Sequence, residues 1–302
     1  KRLGNNYVVK YNGLAGGKGV KVSGDHLHSR SEALAYCQEL VNNNGKFVIE
    51  EKFIGEEFSL MSFCDGNALK HMPIVQDHKR AYDEDTGPNT GGMGAYSDAN
   101  HSLPFLTDYD ISQAQEINNK TVQAVKDKFG EGYKGILYGG FMSTANGVKL
   151  IEYNARLGDP EAINVLSLLE SDFIEICTSI TDGTLDKVDV RFSTKATVCK
   201  YAVPEGYPDN PIKGEPIDVS KIKNHYRLFY ASVDFKETIL VEAGSRTIAV
   251  VGIADTISEA ETIAEKEVLS ISGPLFHRTD IGTNAAIQKR IEHMKKLKRE
   301  SI

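Results

Sequence analysis

Short runs of apolar residues along the chain alternate between strand-like and helix-like spacing. Runs rich in β-branched and aromatic residues predict strands, and apolar residues three and four positions apart predict amphipathic helices. In the first two thirds of the chain, strands are predicted at residues 7–10, 47–51, 58–64, 71–76, 135–142 and 148–153, and helices at residues 31–42, 108–128, 161–169 and 173–181. This mixture predicts an α+β fold.

Turn-forming residues separate these elements. Asp65-Gly66-Asn67 predicts a hairpin turn between the third and fourth strands, and Asn146-Gly147 predicts one between the fifth and sixth. Residues 83–94 are dense in Gly, Pro, Asn, Thr and Asp, so a loop is predicted there.

The pattern changes after Asp182-Gly183. Short strands are predicted at residues 196–203, 226–235, 239–243 and 247–254, followed by helices at 257–270 and 285–299. We place a domain boundary near residues 188–193. The expected organisation is a first domain over residues 1–190, with subdomains 7–70 and 71–190, and a smaller β-rich C-terminal α+β domain over residues 191–302.

Composition is that of an ordinary folded protein, since 40% of the 302 residues are hydrophobic and 25% are charged. This length corresponds to about two domains. The net charge of −7 argues against nucleic-acid binding, which requires an excess of Lys and Arg. No apolar run approaches the roughly 20 residues that span a bilayer, so no membrane helix is predicted and a cytoplasmic location is expected.

The four cysteines are too widely spaced for a disulfide framework or a zinc site. They are Cys37, Cys64, Cys177 and Cys199, and we predict buried thiols in a reducing cytoplasm. The basic cluster at residues 289–299 predicts the solvent-exposed face of a terminal helix.

A glycine-rich segment follows the first strand, which contains Lys10. Residues 13–20 read GLAGGKGV. Glycines let backbone N–H groups approach phosphate oxygens, and Lys18 adds a positive charge, although the Walker A order is absent. The alternative is a flexible hairpin loop with one exposed lysine.

An apolar strand ends in carboxylates at residues 48–57, VIEEKFIGEE. The backbone of such a strand would hydrogen-bond adenine, and a later carboxylate would accept from ribose hydroxyls. The alternative is an edge strand protected by acidic residues.

A third motif, IEYNAR at residues 151–156, combines acid, amide and guanidinium groups. The two-residue period of a strand puts Glu152, Asn154 and Arg156 on one face. These groups suit Mg²⁺ with polyphosphate, since Mg²⁺ takes few protein oxygens and Arg neutralises developing charge. A polar solvent face of a half-buried strand is the equal alternative.

The fourth motif is QDHKR at residues 76–80, followed by DTGPNTGGMG at residues 85–94. The basic triplet would hold a phosphate or carboxylate substrate, and the glycine-rich loop would be mobile or shaped around a ligand. The alternative is a solvent-exposed basic face.

In this order, the motifs resemble those of the ATP-grasp ligases and, within them, the phosphoribosylamine–glycine ligase family of purine biosynthesis. The segments that carry the resemblance are GLAGGKGV (13–20), VIEEKFIGEE (48–57), QDHKRAYDEDTGPNTGGMGAY (76–96), GGFM (139–142) and IEYNARLGDPE (151–161), with YAVPEGYP (201–208) and FHRTDIG (276–282) towards the C-terminus. The resemblance implies an ATP-grasp fold, in which two α+β subdomains clasp ATP, followed by the C-terminal domain.

The resemblance also implies a reaction, in which ATP drives the joining of glycine to 5-phosphoribosylamine through a glycyl phosphate. Mg²⁺, or Mn²⁺, would assist, and ADP, phosphate and glycinamide ribonucleotide would be released. No nucleic acid or membrane partner is expected, and the chain is expected to be a monomer. We also expect a further α/β domain of the family to precede Lys1 in cis.

Roles for individual residues follow from the resemblance alone. Lys10 and Lys18 would contact ATP phosphates, with Lys18 on a lid and acting in catalysis together with Arg156. Adenine would be lined by Glu50, Phe53 and Ile54, ribose would be held by Glu57, and the metal by Glu152 and Asn154. The substrate-binding residues would be Asp77, Lys79, Arg80, Pro88, Asn89, Thr90, Gly91, Gly92, Met93, Asp159, Pro160 and Glu161.

Two other functions remain open from the sequence. One is a non-catalytic Mg·ATP-binding module, and the other is an ATP-grasp carboxylate–amine ligase with different substrates. The strand at residues 135–142 lacks the additional metal carboxylate of many ATP-grasp enzymes, because it reads Tyr138-Gly139-Gly140-Phe141.

Overall fold

The computed structural model describes residues 3–13 and 19–300. Contacts divide the chain into two units, Lys1–Ile54 and Gly55–Ile302. Across the described residues, no helix combines the length and apolar character that crossing a membrane requires.

The N-terminal unit contains a three-stranded antiparallel sheet of order β2-β1-β3. Its elements are β1 (Tyr7–Tyr11), β2 (Val20–Val22), helix α1 (Arg30–Asn42) and β3 (Phe47–Glu51). Val9, Leu27, Ala33 and Tyr36 form its buried core, which explains the apolar spacing in β1 and α1. The strands predicted at 7–10 and 47–51 and the helix predicted at 31–42 are confirmed.

The second unit holds the remaining elements. In chain order these are β4 (Gly55–Asp65), β5 (Leu69–His71), β6 (Gln76–Asp77), β7 (Arg80–Tyr82), β8 (Thr86–Asn89), β9 (Gly94–Ser97), α2 (Asp108–Phe129), β10 (Lys134–Thr144), β11 (Gly147–Asn154), α3 (Glu161–Leu166), α4 (Phe173–Asp182), β12 (Ala196–Pro204), β13 (Leu228–Tyr230), β14 (Val233–Lys236), β15 (Ile239–Glu242), β16 (Ile248–Ala254), α5 (Ile257–Val268), β17 (Leu275–Phe276) and α6 (Asn284–Arg299).

A four-stranded antiparallel sheet has the order β11-β10-β4-β5. β4 and β10 pair along their whole length, from Gly55 opposite Thr144 to Asp65 opposite Lys134. Phe58 of β4 stacks on Phe141 of β10, with ring centroids 5.6 Å apart, and both rings are buried. The predicted turn at 146–147 and the strands on either side of it are confirmed.

A second antiparallel sheet has the order β13-β16-β12-β9-β6, with β17 also paired to β12. Every residue of β12 is buried, because strands flank it on both sides and α5 packs on it. Strands from residues 76–97 therefore lie in one sheet with strands from residues 196–254. This pairing brings the end of β6 close to the C-terminal segment, and the domain boundary near 188–193 stays a prediction.

Two strand predictions and one loop prediction are wrong in detail. The hairpin partner of β4 is β5 rather than residues 71–76, although Val75 still forms an isolated bridge to Ser59. The predicted loop at 83–94 contains β8, which pairs with β7 in a ribbon. The predicted strand at 226–235 is divided between β13 and β14, which pair with different strands, since Ala231 and Ser232 separate them.

The basic C-terminal helix differs from its prediction. Arg290 and His293 of α6 both reach Glu56, at 3.2 Å and 2.5 Å, and Lys298 lies 3.0 Å from Asp110. Glu56 and Asp110 are almost fully buried, so part of this cluster neutralises interior acids instead of facing solvent.

All four cysteines are free thiols. Cys64 and Cys199 are buried, as predicted for structural thiols, and Cys37 is partly buried. The prediction of burial is wrong for Cys177, which lies exposed on α4.

Candidate active site

The carboxylates of Asp77 and Glu161 interact electrostatically, and the Oδ1 atom of Asp77 is buried. Asp77 ends β6, and Glu161, which is 3% exposed, begins α3. Burial, reinforced by the Glu161 charge, raises the pKa of Asp77 well above its ordinary value, and burial also raises the pKa of Glu161. Two acids in this setting resist ionising together unless a cation joins them.

The hydrogen bonding of the two acids is unequal. The Tyr138 hydroxyl donates to Glu161 Oε1 at 2.8 Å. Asp77 Oδ1 is buried and has no hydrogen-bond partner among residues 3–13 and 19–300. A buried, unpartnered carboxylate oxygen is costly in a folded protein, so it marks a position where a donor from a ligand fits.

Lys79 supplies a positive charge at the edge of this site. Its ammonium group pairs with Glu57 of β4. Burial alone would lower the pKa of Lys79, but the Glu57 and Asp77 carboxylates outweigh it and raise the pKa above its ordinary value. We call Asp77, Lys79, Tyr138 and Glu161 the carboxylate pocket.

Two glycines let the backbone approach the carboxylate pocket closely. A Cβ on Gly92, whose φ is +109°, would lie 2.6 Å from Asp77 Oδ1 and 2.5 Å from Pro160 Cδ. A Cβ on Gly158 would lie 2.5 Å from Glu161 Oε2. Any side chain at either position would therefore displace a pocket carboxylate.

Arg246, from the turn between β15 and β16, binds the two loops that form the walls of the pocket. Its guanidinium donates to the Gly92 carbonyl at 3.1 Å and to Asp159 Oδ2 at 2.9 Å, and it lies 4.7 Å from the centre of the Tyr201 ring. Tyr201 also donates to Asp159 Oδ1 at 2.9 Å. Sequence reasoning missed Arg246, because it lies 87 positions from its carboxylate partner.

Hydrogen bonds with Lys79 and Arg80 hold the glycine-rich loop. The Thr90 N–H and hydroxyl both donate to the Lys79 carbonyl, at 2.7 Å and 2.9 Å, and Arg80 Nη1 donates to the Gly87 carbonyl at 2.8 Å. Asn89 and Gly91 are exposed, Pro88 is partly buried, and Met93 is fully buried in the core. Gly92 and Pro160 therefore lie beside the carboxylate pocket, whereas the Met93 side chain packs in the core.

A buried ion network supports this loop from behind. Arg278 is 1% exposed and donates to Asp85 at 2.9 Å and to the Arg80 carbonyl at 3.2 Å. Although burial opposes ionisation, the paired Arg278 lowers the pKa of Asp280 to about 2. Burial and the nearby Arg278 lower the pKa of His78 to about 3, so this histidine is neutral. The sequence motif FHRTDIG contains Arg278, but its partners at residues 80–85 could not be identified from the sequence.

The predicted metal residues lie at the end of β11. A register shift beside Gly140 places Glu152 opposite Gly140, and Glu152 is exposed. Asn154 Nδ2 lies 3.4 Å from Glu152 Oε1, so the two side chains share one face as predicted. Their carboxylate and amide oxygens are hard ligands that fit Mg²⁺. Among the described residues, no group of three or more His, Cys, Asp or Glu side chains could hold a metal, so few protein ligands are available.

The prediction that Arg156 lies on the same strand as Glu152 and Asn154 is wrong. β11 ends at Asn154, and the Arg156 guanidinium lies 5.9 Å from the centre of the Tyr138 ring, with Nη1 donating to the Leu157 carbonyl at 2.9 Å. The chain bends after Asn154, which ends the two-residue alternation. Arg156 consequently borders the carboxylate pocket through Tyr138.

The nucleotide-side predictions fall in two places. In the N-terminal unit, Lys10 Nζ lies 2.6 Å from Glu50 Oε2, Phe53 is partly buried and Ile54 is exposed. Glu57 belongs to the second unit and pairs with Lys79. Lys18 lies outside the described residues.

Two protein-family models match this chain. Residues 1–162 match the phosphoribosylglycinamide synthetase ATP-grasp (A) domain, and residues 197–284 match the phosphoribosylglycinamide synthetase C domain. The phosphoribosylamine–glycine ligase of Methanosarcina barkeri is 54% identical over 96% of this chain and 67% of its own length. That of Methanocaldococcus jannaschii is 52% identical over 97% and 67%.

Solved structures give the same result. The crystal structure of phosphoribosylamine–glycine ligase from Thermotoga maritima has a TM-score of 0.82 and 31% identity, and it covers 92% of this chain and 69% of that one. Biotin carboxylase from Campylobacter jejuni has a TM-score of 0.67 at 15% identity, over 97% of this chain and 62% of that one, and it shares the fold.

The chain spans about two thirds of the length of the curated relatives it matches. The predicted ATP-grasp fold is confirmed, and so is the predicted family. Because residues 1–162 and 197–284 match the A and C domain models in order, the chain belongs to the phosphoribosylglycinamide synthetase family of phosphoribosylamine–glycine ligases.

Proposed function

We propose that this chain catalyses the ATP-dependent ligation of glycine to 5-phosphoribosylamine, a cytoplasmic step of purine biosynthesis. The products are glycinamide ribonucleotide, ADP and phosphate. The observation that best supports this function is the carboxylate pocket, in which Asp77 Oδ1 is buried without a partner among the described residues.

The reaction proceeds in two steps. A glycine carboxylate oxygen attacks the γ-phosphorus of ATP, the bond from phosphorus to the β–γ bridging oxygen breaks, and ADP leaves. The phosphoribosylamine nitrogen then attacks the carbonyl carbon of glycyl phosphate. Phosphate departs with the electron pair of the C–O bond, and the attacking nitrogen loses one proton.

The carboxylate pocket binds the ammonium group of glycine in this proposal. That ammonium keeps its charge throughout the reaction, whereas the attacking amine must be neutral. An ammonium ion between Asp77 and Glu161 supplies the donor that Asp77 Oδ1 lacks, and it offsets the repulsion between the acids. The substrate carboxylate, which the pocket does not bind, would then be available to react with the phosphoryl donor.

Glu152 and Asn154 would hold Mg²⁺, with Mn²⁺ as the alternative ion. The metal would neutralise charge on the ATP phosphates. Arg156 lies two residues beyond the end of the same strand, and its guanidinium would add a positive charge for the transferred phosphoryl group.

The remaining proposed contacts are with the nucleotide. Lys10 and Lys18 would contact phosphates, Glu50, Phe53 and Ile54 would contact adenine, and Glu57 would contact ribose. In the structure Lys10 pairs with Glu50, and Glu57 pairs with Lys79.

The turnover test is direct. ADP release by the full-length protein that contains this sequence is measured with ATP alone, with each second substrate and with both. Release that requires both glycine and phosphoribosylamine is expected. ATP binding without turnover would indicate a non-catalytic Mg·ATP module, and turnover with another acid or amine would indicate a different ATP-grasp ligase.

The role of Asp77 has its own test. Asp77→Asn removes the negative charge but keeps the size of the side chain, so the KM for glycine should rise by roughly 10- to 100-fold while the KM for ATP stays within about twofold. Asp189→Asn, at a surface position whose side chain is 84% exposed, is the matched control. An unchanged KM for glycine in Asp77→Asn would remove Asp77 from the glycine site.

A further inference from the structure

Arg246 makes more contacts around the carboxylate pocket than a surface salt bridge requires. Nη1 lies 3.1 Å from the Gly92 carbonyl, 3.1 Å from the Asp159 carbonyl and 3.2 Å from Asp159 Oδ1, while Nη2 lies 2.9 Å from Asp159 Oδ2. The side chain is 16% exposed. These contacts join two loops that are separated in sequence.

Each of the two joined loops contacts or leads into a carboxylate of the pocket. Gly92 lies against Asp77 and Pro160, since a Cβ at this position would clash with both. Asp159 is followed by the cis-linked Pro160 and then by Glu161. Fixing the Gly92 carbonyl and Asp159 on one guanidinium therefore limits how far Asp77 and Glu161 can move apart.

Tyr201 sets the orientation of the guanidinium. Its ring lies under the guanidinium carbon at 4.7 Å, its hydroxyl donates to Asp159 Oδ1 at 2.9 Å, and its backbone N–H donates to the Met93 carbonyl at 2.9 Å. A lysine ammonium group has no planar surface to lie over the ring and cannot reproduce the hydrogen-bond geometry of the guanidinium. Tyr201 and Arg246 belong to β12 and the β15–β16 turn, so the C-terminal segment builds this clamp.

We propose that Arg246 is a positioning residue for the ligase, which sets the spacing of the Asp77 and Glu161 carboxylates by clamping the Gly92 and Asp159 loops. It acts through these loops, and its effect is on glycine more than on ATP. This inference rests on the proposed function of the carboxylate pocket.

The first experiment compares Arg246→Met and Arg246→Lys with wild type in the full-length protein. Arg246→Met is expected to raise the KM for glycine by roughly 10- to 100-fold with the KM for ATP within about threefold, because displacements of about 1 Å around reacting groups have effects of this size. Arg246→Lys should recover only part of the loss. Arg191→Met, whose guanidinium is 68% exposed and pairs with Asp189, should behave as wild type.

Chemical rescue separates positioning from general stability. Millimolar guanidinium should lower the raised KM for glycine of Arg246→Ala part of the way towards the wild-type value. The small cation can occupy the vacated site between Gly92 and Asp159. A purely structural role predicts parallel losses for glycine and ATP, a lowered melting temperature and no rescue, and that result would overturn the proposal.

A double-mutant cycle identifies the partner. Arg246→Met and Asp159→Asn remove the same contact, so their effects on the KM for glycine should be clearly less than additive. Full additivity would overturn the clamp. A wild-type protein without glycine-dependent ADP release would contradict the proposed ligase function itself, whereas normal wild-type turnover with unaffected Arg246 variants would contradict only the positioning role.

Discussion

At the scale of single residues, burial and charge explain why a few side chains stand out. Asp77 combines a buried oxygen that lacks a partner among the described residues with the nearby Glu161 charge, and both factors favour its neutral form. The sequence motif QDHKR identified Asp77 and Lys79 as candidates, but only the fold shows that Glu161 is their neighbour.

The raised pKa of Asp77 predicts a pH-dependent stability difference. Below the unfolded pKa the acid is protonated in both states and has no electrostatic cost. As pH rises through the folded pKa, wild type loses stability that Asp77→Asn retains. The melting temperature of Asp77→Asn minus that of wild type should therefore grow as the pH rises above about 4, the ordinary pKa of an aspartic acid.

Thermal unfolding across this pH range in the absence of ligands tests the idea, with Asp189→Asn as the control. The control difference should stay flat, because Asp189 is exposed. A difference for Asp77→Asn that shrinks as pH rises would show that the folded protein favours the charged acid.

At the scale of elements, the glycine-rich loop depends on a backbone conformation as well as on composition. The density of Gly, Pro and Asn predicted a loop over residues 83–94, and it concealed the β7–β8 ribbon. The ribbon forms because Arg80 pairs with Asn89, and composition alone does not show which residues pair across a turn.

Gly92→Ala should be markedly destabilising, because it adds a steric clash to an unfavourable φ of +109°. The expected loss in free energy of unfolding is about 3 kcal/mol, combining backbone strain with overpacking. Gly130→Ala is the matched control, since Gly130 has φ +76° with open space around a Cβ, and about 1 kcal/mol is expected there.

Urea unfolding of the two alanine variants gives both values. The difference between them combines the contacts with Asp77 and Pro160 and the less favourable φ of Gly92. Equal losses would mean that the Gly92 loop relaxes away from the pocket without cost.

At the scale of the whole second unit, long-range ion pairs fix the C-terminal helix. Arg290 of α6 contacts Glu56 of β4 at 3.2 Å and also pairs with Asp85. The amphipathic pattern of residues 285–299 predicted the helix correctly. It could not predict the interior acids that pair with the basic residues, because these acids lie about 200 positions away.

Arg290→Met should destabilise the protein by about 3 kcal/mol, because Glu56 would keep its burial and lose a charged partner. Lys295→Met, at an exposed position on the same helix, should change stability by less than about 0.5 kcal/mol. Chemical denaturation monitored by tyrosine fluorescence measures both. Similar small effects would show that His293 alone satisfies Glu56.

The pairing of β9 with β12 limits which segments of this chain can be exchanged independently. Thr197 lies opposite Ser97 and Lys200 opposite Gly94, so the strands of one sheet come from segments a hundred positions apart. A chimera joined at residue 190 would combine unmatched strand edges unless it also exchanged residues 76–97. An exchange that keeps the sheet intact must therefore include both segments, although the matched A and C domain models divide them.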